Sequence, residues 1–281
     1  MNNLSRKFEN LLASKKFLIM LHRGAHGGNI VENTADAVNI ARKQGSDIVE
    51  IDISMSTDGD FFVFHDGGEP RLLNDNRNIN TMSTKEIRSK YYYNELGQVL
   101  HKKVQKFEEL LSGVSKDVFF NIDRSWDHWS TFLPYLDQFK ERYEYFILKS
   151  PVEKELLELL DNHQVNYMYF PIINNEEELD LLEQYKNINV IGFEVIERDD
   201  MFTFINSNRF DKYKSNGYLF IVNAINLDDD TKLFGSLSDE VSITVNPDLG
   251  WGKILEMGVN GIQTDWIDLL YNYRENKFTK N

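Results

Sequence analysis

Residues 48–53, Ile-Val-Glu-Ile-Asp-Ile, form an apolar run that contains two acids, Glu50 and Asp52. β-Branched residues favour the pleated sheet, so the run predicts a β-strand. Side chains alternate in direction along a strand, and Glu50 and Asp52 therefore point to the same side. Two neighbouring carboxylates repel each other, and burying either of them without a partner is costly. The strand thus indicates a positively charged partner between its two acids.

Seven further short runs are also rich in apolar, β-branched or aromatic residues. Polar segments with helical spacing lie between most of the runs. The eight predicted strands are FLIML (17–21), IVEIDI (48–53), VFFNI (118–122), YFILK (145–149), NYMYF (166–170), VIGFEV (190–195), YLFIVNA (218–224) and GIQTD (261–265). Strands that alternate with helices predict a parallel sheet. Eight such units in about 250 residues favour an α/β fold of the (β/α)₈ TIM-barrel type over an open doubly wound sheet.

Three segments refine this prediction. Residues 67–105 are polar and too long for an ordinary loop between strand and helix, so we expect a small insertion at the barrel rim after the second strand. Residues 127–143 and residues 151–163 each have the spacing of a helix, and Pro151 suits the first turn of the second one. No low-complexity linker divides the chain, which predicts a single TIM-barrel domain over residues 1–281.

The composition excludes several classes of function. The net charge of −14 argues against binding to nucleic acid or to an anionic membrane, because those partners demand basic patches. The chain has no cysteine, which excludes disulfides and thiolate metal sites. No run approaches the length of a membrane span, and the N-terminus lacks a signal peptide's apolar region. We therefore expect a cytoplasmic protein without stable membrane insertion, in which a local cation or metal holds any anionic substrate.

Active sites of TIM barrels lie at the carboxyl ends of the strands. The polar residues predicted there are His22, Arg23, Glu50, Asp52, Asp123, Lys149, Glu194, Asn223 and Asp265. Glu50, Asp52 and Asp123 would offer three hard oxygen ligands on adjacent strands, a set that suits Mg²⁺ or Ca²⁺. The alternative for Glu50 and Asp52 is an ion pair with Arg23 or Lys149.

Two of the six histidines follow apolar runs and have a charged neighbour. These are His22, beside Arg23, and His65, beside Asp66. Imidazoles exchange protons near neutral pH, so a pair of them close to a metal-bound phosphate can serve as acid and base. We also expect Asp66 to orient His65. His101, His128 and His163 have no such context and are predicted to be surface or structural residues. His26 is an alternative to His22, but it lies in a Gly-rich loop that fixes its orientation less.

These motifs together resemble the glycerophosphodiester phosphodiesterase family. Its ordered His-Arg, Glu-x-Asp and His-Asp elements correspond to HRGAHGGNIVENTADAV (22–38) and GSDIVEIDISMSTDGDFFVFHD (45–66), and GVNGIQTDW (258–266) is similar to its last strand. The resemblance implies that His22 and His65 are the acid and base and that Glu50 and Asp52 bind a metal. It also implies that Arg23 grips phosphate and that a hydroxyl next to the ester can attack phosphorus to give a cyclic phosphate.

The third strand departs from the family pattern. The family usually has Asn-Ile-Glu-x-Lys where this chain has NIDRSW (121–126), so Asp123 replaces the Glu and Ser125 replaces the phosphate-binding Lys. The Asp at this position resembles the spider-venom phospholipase D branch of the superfamily. Lys149, one strand further on, can supply the missing positive charge. The predicted contacts to phosphate or to the rest of the substrate are Arg23, Lys149, Glu194, Trp251 and Trp266.

These observations predict a phosphodiesterase of lipid metabolism that depends on a divalent cation. It would hydrolyse a glycerophosphodiester or a similar polyol phosphodiester to a phosphomonoester and an alcohol. The changed third strand and the tryptophans at 126, 129, 251 and 266 leave a second hypothesis open. That hypothesis is a phosphodiester synthase or phosphoryl transferase, similar to the agrocinopine synthases, or a lyase that releases a cyclic phosphate. A third hypothesis is a non-catalytic protein that binds a phosphate ligand.

Overall fold

Twelve strands and twelve α-helices make up the described part of the chain, which in this computed structural model is residues 5–226 and 231–278. The strands are β1 (Leu18–Leu21), β2 (Ile48–Met55), β3 (Phe61–Val63), β4 (Tyr92–Tyr93), β5 (Val99–Leu100), β6 (Phe119–Asp123), β7 (Phe146–Pro151), β8 (Met168–Ile173), β9 (Asn189–Val190), β10 (Gly192–Val195), β11 (Leu219–Asn223) and β12 (Gly261–Thr264). The α-helices are α1 (Arg6–Ser14), α2 (Ala35–Lys43), α3 (Glu69–Leu73), α4 (Thr84–Ser89), α5 (Phe107–Ser112), α6 (Trp129–Leu136), α7 (Lys154–Asp161), α8 (Glu176–Leu182), α9 (Asn208–Ser215), α10 (Asp239–Thr244), α11 (Lys253–Glu256) and α12 (Ile267–Phe278). Short 3₁₀ helices span Ile79–Thr81, Trp126–His128 and Lys140–Tyr145, and a π-helix spans Asp248–Gly252.

Eight of the strands close into a parallel barrel. Around it the order is β1, β2, β6, β7, β8, β10, β11 and β12, and β12 pairs again with β1. The closing register places Leu18 opposite Gly261 and Leu21 opposite Thr264. The predicted (β/α)₈ TIM barrel is therefore confirmed.

The interior of the barrel changes in character along its axis. Its lower part is an apolar cluster of alternate strand residues that α1 closes with Phe8. The cluster consists of Phe8, Leu18, Met20, Ile48, Phe119, Tyr145, Ile147, Met168, Phe170, Ile191, Leu219 and Ile221. Residues i and i+2 of a strand share a face, so the next inward positions of the same strands are the buried polar residues. Those residues are Glu50, Asn121, Lys149, Glu194, Asn223 and Gln263.

The opposite faces of the strands pack against the surrounding helices and form the larger core. Ile51, which lies between the two acids of β2, is fully buried there. Trp129 and Trp251 also belong to this core and are 1% and 2% exposed. The alternation seen in residues 48–53 thus separates an apolar outer face of β2 from an acidic inner face.

The segment between β2 and β6 folds as an attachment on the rim. Strand β3 turns back antiparallel to the end of β2, with Ile53 opposite Val63. Residues 67–105 contain α3, α4 and the β4–β5 hairpin, which cover a separate apolar cluster that includes Phe64, Ile79 and Tyr92. The division of the chain into one domain with this insertion stays a prediction.

Two local predictions about secondary structure were wrong. Pro151 ends β7, and α7 begins only at Lys154, because the residue has no N–H to donate and is tolerated at a strand end as well as at a helix start. The helical segment 127–143 is divided into two 3₁₀ helices and α6, which contains Pro134. Among the described helices, none combines the length and the apolarity that crossing a bilayer requires.

Candidate active site

Three carboxylates meet at the carboxyl end of the barrel. Glu50 and Asp52 lie on β2, and Asp123 ends the neighbouring β6, directly opposite Asp52 in the parallel register. One oxygen from each of the three carboxylates lies within 4.8 Å of the others. Strand alternation and strand register together produce this acidic cluster, which we define as Glu50, Asp52 and Asp123.

Glu50 is the least compensated member of the acidic cluster. It is fully buried, and its Oε2 accepts a hydrogen bond of 2.8 Å from the backbone N–H of Arg23. Its Oε1 is also buried and has no hydrogen-bond partner among the described residues. Burial, followed by the charges of Asp52 and Asp123, raises the pKa of Glu50 well above its ordinary value. A cation beside Oε1 would relieve both the missing contact and the repulsion, so the donor set fits a divalent metal.

Asp52 is held by residues of the loop after β1. Asn33 donates its amide N–H to Asp52 Oδ2 over 2.8 Å, and its Oδ1 accepts the backbone N–H of Asp52 over 2.9 Å. The guanidinium of Arg23 contacts Asp52 Oδ2 at 3.2 Å and donates to Glu32 over 2.9 Å. Arg23 and Asn33 both have a positive φ, near 57°, a conformation that L-residues adopt only when their surroundings impose it. The loop therefore places two donors on the acidic cluster at a cost in backbone strain.

Lys149 lies on the next strand and faces the same space. Its ammonium pairs with Asp123 and, over 3.0 Å, with Glu194. Glu194 also accepts a hydrogen bond of 2.9 Å from the side chain of Asn223. Burial works to lower the pKa of Lys149, but the charges of Asp123 and Glu194 outweigh it and raise the pKa above its ordinary value. Lys149 is therefore a fixed positive charge between the acidic cluster and the far side of the barrel.

His22 is fixed by a carboxylate from the last strand's end. Its Nδ1 lies 2.9 Å from Asp265 Oδ1, and its backbone N–H donates to Thr264 O over 3.2 Å. Burial works to raise the pKa of Asp265, but the hydrogen bond and charge of His22 outweigh it and hold the pKa below its ordinary value. An ionised carboxylate only accepts hydrogen bonds, so His22 carries its proton on Nδ1 and leaves Nε2 to accept another.

His65 lies at the same end of the barrel. The backbone N–H of Phe64 donates to Asp52 O over 3.0 Å, so the chain returns to the acidic cluster immediately before His65. The expectation that Asp66 orients His65 was wrong. Asp66 instead accepts hydrogen bonds of 2.6 Å from Arg124 and 3.2 Å from Asn78, and no hydrogen bond between His65 and Asp66 occurs among the described residues.

The aromatic residues named from the sequence have separate positions. Trp251 is buried in the core and donates its indole N–H to Asp239 over 2.7 Å, so its side chain has no surface for a substrate. Trp129 is also buried and donates to Ser125 over 3.0 Å, which makes Ser125 a packing residue at the position of the family's Lys. Trp266 is 54% exposed and lines a cavity of about 500 Å³ that also borders His26 and Asp265.

Charge at the barrel mouth is unbalanced. The carboxylates there are Glu32, Glu50, Asp52, Asp66, Asp123, Glu194 and Asp265, and the cationic partners that they contact are Arg23, Arg71, Arg124 and Lys149. The seven acidic side chains outnumber the four basic ones by three, and Glu50 forms no ion pair with any of the four. Arg124, whose φ of 57° is also in the left-handed region, was missed from the sequence because it stands at a variable position of the family motif.

Comparisons with known proteins identify the family of the chain. A family model described as "Glycerophosphoryl diester phosphodiesterase family" matches residues 22–170, and a model described as a domain of unknown function matches residues 167–274. A curated glycerophosphodiester phosphodiesterase of Bacillus subtilis is 37% identical over 65 residues, which is 23% of this chain and only 22% of that protein.

Solved structures of low sequence identity share the fold. A glycerophosphoryl diester phosphodiesterase from Parabacteroides distasonis is 16% identical with a TM-score of 0.69, and the match covers 96% of this chain and 92% of that one. An Oleispira antarctica phosphodiesterase, solved with the product sn-glycerol-3-phosphate, is 16% identical with a TM-score of 0.66 over 95% of this chain and 99% of its own. Because the first family model covers more than half of the sequence, the chain belongs to the glycerophosphoryl diester phosphodiesterase family.

Proposed function

We propose that the protein is a metal-dependent phosphodiesterase that hydrolyses a glycerophosphodiester, or a similar polyol phosphodiester, to a phosphomonoester and an alcohol. One observation carries this proposal. An acidic cluster, one of whose buried oxygens has no hydrogen-bond partner among the described residues, lies at the same barrel mouth as a histidine whose Nδ1–H binds Asp265 and leaves Nε2 as the proton acceptor. The relatives' names support the reaction class, and the product found with the Oleispira enzyme, sn-glycerol-3-phosphate, supports a glycerophosphodiester substrate.

Glu50, Asp52 and Asp123 would hold the divalent cation, Mg²⁺ or Ca²⁺. When bound, such an ion neutralises charge on the phosphoryl oxygens and orients the diester. Asn33 and the backbone of Arg23 hold Asp52 and Glu50 in place, since each of them donates to a carboxylate oxygen of the acidic cluster. Supporting hydrogen bonds of this kind fix the geometry of metal ligands.

The two histidines would move the protons. His22 accepts the proton of the attacking hydroxyl on Nε2, and the Asp265 carboxylate stabilises the imidazolium that results. His65 donates a proton to the departing alkoxide, so that the P–O bond breaks without releasing a strong base. If a hydroxyl of the substrate attacks first, the product is a cyclic phosphate, and water then opens it with the two roles exchanged.

Three further residues would bind the substrate, and a fourth, Glu194, would position one of them. Arg23 and Lys149 lie in contact with the acidic cluster and supply positive charge for the phosphate, with Lys149 replacing the Lys that the third strand lacks. Glu194 holds Lys149 from the other side. Trp266 presents an exposed ring beside Asp265 for the alcohol part of the diester. Trp251 is not included, because it is buried.

The test is ³¹P NMR of the protein incubated with glycerophosphocholine, and separately with a sugar phosphodiester. Each substrate is followed with Mg²⁺, with Ca²⁺ and with a chelator. We expect a phosphomonoester signal that grows only when a divalent cation is present. A persistent cyclic phosphate would instead identify a lyase, a new diester would identify a transferase, and no turnover of any ester would contradict the proposal.

A pair of histidine variants controls this experiment. His22→Ala should lower kcat by about 10²- to 10⁴-fold while the affinity for Mg²⁺ stays unchanged. His163→Ala is the matched control, because His163 is also 3.0 Å from an aspartate, Asp137, but lies outside the barrel mouth. Loss of metal binding in His22→Ala would contradict its role in proton transfer.

A further inference from the structure

A buried aspartate that no part of the mechanism uses lies behind His22. Asp239 begins α10, is 4% exposed, and accepts three hydrogen bonds. Its Oδ1 accepts the indole N–H of Trp251 over 2.7 Å. Its Oδ2 accepts the hydroxyl of Thr264 over 2.9 Å and the backbone N–H of Asp265 over 3.1 Å. Its own backbone N–H donates to Ala224 O over 2.7 Å, which ties it to the end of β11.

The groups that Asp239 holds are those that hold His22. The carbonyl of Thr264 accepts the backbone N–H of His22, and the carboxylate of Asp265 binds its Nδ1. The hydroxyl of Thr264 donates to Asp239 and accepts the backbone N–H of Trp266 over 2.9 Å, so both ends of the turn 264–266 are restrained. A continuous set of hydrogen bonds therefore runs from Trp251 through Asp239 and the turn to the imidazole.

We propose that Asp239 is a positioning residue for His22, which it fixes in the Nδ1–H tautomer and in its orientation by immobilising the turn that carries Asp265. This inference rests on the proposed function for its effect on turnover. It also gives a role to residues 167–274, which match the model of a domain of unknown function, since Asp239, Trp251, Thr264 and Asp265 all lie within them. This segment would complete the proton-transfer group whose histidine lies in the part that the first family model matches.

The three donors explain why a carboxylate is needed at this position. Trp251, Thr264 and Asp265 all present a hydrogen to Asp239, and an ionised carboxylate offers acceptors on both of its oxygens. An asparagine has almost the same shape but presents an N–H₂ group on one side, where it faces a donor. Asp239→Asn therefore breaks one end of the set without opening a cavity.

The experiment measures the tautomer of His22 directly, with no metal and no substrate. Long-range ¹H–¹⁵N NMR of the ¹⁵N-histidine-labelled full chain in chelator, with the signal assigned by its loss in His22→Ala, should show the Nδ1–H form in the wild type. We expect Asp239→Asn to give a mixture of tautomers. Glu197→Gln is the matched control, because Glu197 is also a buried carboxylate that accepts two backbone N–H groups, over 2.8 and 2.9 Å, and has no connection to His22.

Turnover of glycerophosphocholine with Mg²⁺ provides the second measurement. We expect Asp239→Asn to lower kcat by about 10- to 100-fold with KM nearly unchanged, as for other residues that orient a reacting group. Combined with Asp265→Asn it should cost nothing further, because both variants act on the same contact. An Asp239→Asn variant that is less stable but keeps the His22 tautomer and kcat of the wild type would overturn the inference. If the wild type shows no turnover but Asp239→Asn still changes the tautomer of His22, the proposed function is rejected and the positioning role of Asp239 stands.

Discussion

Glu50 and Glu194 are buried glutamates on opposite sides of one barrel, and the protein compensates them differently. Glu194 receives the ammonium of Lys149 on one oxygen and the amide of Asn223 on the other. Glu50 receives one backbone N–H, has two further acids beside it, and keeps one oxygen unpartnered among the described residues. The carboxylate of Glu194 is therefore satisfied on both oxygens, whereas that of Glu50 is not. On the Glu194 side, the buried atom without a hydrogen-bond partner among the described residues is a neutral amide oxygen, Asn223 Oδ1.

The difference shows how a buried acid can indicate a ligand. A carboxylate at the end of a barrel strand has little meaning alone, because a neighbouring Lys or Arg can satisfy it, as Lys149 satisfies Glu194. The alternative of an ion pair considered for Glu50 and Asp52 holds in part, since Arg23 contacts Asp52. Arg23 gives Glu50 only a backbone hydrogen bond, so the charge on Glu50 stays uncompensated. A metal site is indicated where a buried carboxylate still lacks a partner after all contacts within the protein have been taken into account.

The largest effect is expected from Glu50→Gln. The change keeps the shape of the side chain but removes a metal ligand, so we expect turnover to fall on the order of 10⁴-fold, about 5 kcal/mol of transition-state stabilisation. In chelator the variant should be at least as stable as the wild type, because it removes a buried acid whose ionisation is opposed by burial and by Asp52 and Asp123. Its melting temperature should no longer rise with added Mg²⁺, which calorimetry measures.

Glu197→Gln controls for the loss of a buried carboxylate outside the acidic cluster. It should keep both the turnover and the Mg²⁺-dependent rise in melting temperature of the wild type. A Glu50→Gln variant whose melting temperature still rises with Mg²⁺ to the same extent would contradict the assignment of Glu50 as a metal ligand.

Lys149→Met tests the group that joins the two sides. Removing one partner from a buried ion pair leaves the other charges uncompensated, and we expect the free energy of unfolding in chelator to fall by about 4 kcal/mol. Denaturant titration measures this. Mg²⁺ should restore the part of the lost free energy of unfolding that comes from the uncompensated Asp123. A second change, Glu194→Gln, should restore the part that comes from the uncompensated Glu194. A double variant no more stable than Lys149→Met alone would show that Glu194 does not depend on Lys149.

The parts of this architecture that follow from repeating patterns could be predicted from the sequence. Strand alternation places Glu50 and Asp52 on one face, and the parallel register brings Asp123 opposite Asp52. The fold class alone is therefore enough to locate the acidic cluster in the sequence. The eight strands were predicted for the same reason. Each strand is a short apolar run, and strands that alternate with helices along a chain can be arranged in only a few folds.

What could not be predicted depends on contacts between distant residues. Asp239 lies 26 residues before Asp265 in sequence, and nothing local distinguishes it from an ordinary acid at a helix start. Trp251 and Trp266 look equivalent in the sequence, yet the π-helix at Asp248–Gly252 buries the first and the end of β12 exposes the second. Asp66 was assigned to its neighbour His65, but Arg124, 58 residues away, binds it.

The pH dependence of stability distinguishes Asp239, a third buried acid, from Glu50 and Glu194. Burial raises the pKa of Asp239 to about 6, although the hydrogen bonds from Trp251, the Asp265 backbone and Thr264 work to lower it. The folded state therefore binds this proton more tightly than the unfolded chain does. Its contribution to the free energy of unfolding is present below about pH 4 and is lost as the pH rises through about 6, a change of about 3 kcal/mol.

Denaturant titrations of the wild type and Asp239→Asn between pH 4 and 7, in chelator, measure this contribution. Because acids that do not contact Asp239 titrate alike in both proteins, the difference between the two curves reports Asp239 together with its neighbour Asp265. We expect the wild type to lose stability relative to the variant as the pH rises through this range. Parallel curves would show that Asp239 titrates in the folded protein as it does in the unfolded chain.

The smallest effect is expected from Trp266→Ala, at the edge where the two sides meet. The ring is exposed and borders the cavity beside Asp265, so its loss removes contact with the alcohol part of the substrate but touches neither the acidic cluster nor Lys149. We expect KM for glycerophosphocholine to rise severalfold, about 1 kcal/mol, with kcat unchanged. Tyr91→Ala, which removes an exposed ring on the insertion, should leave KM unchanged. A fall in kcat for Trp266→Ala would instead show that its side chain also helps to hold the turn 264–266, to which its backbone N–H already belongs.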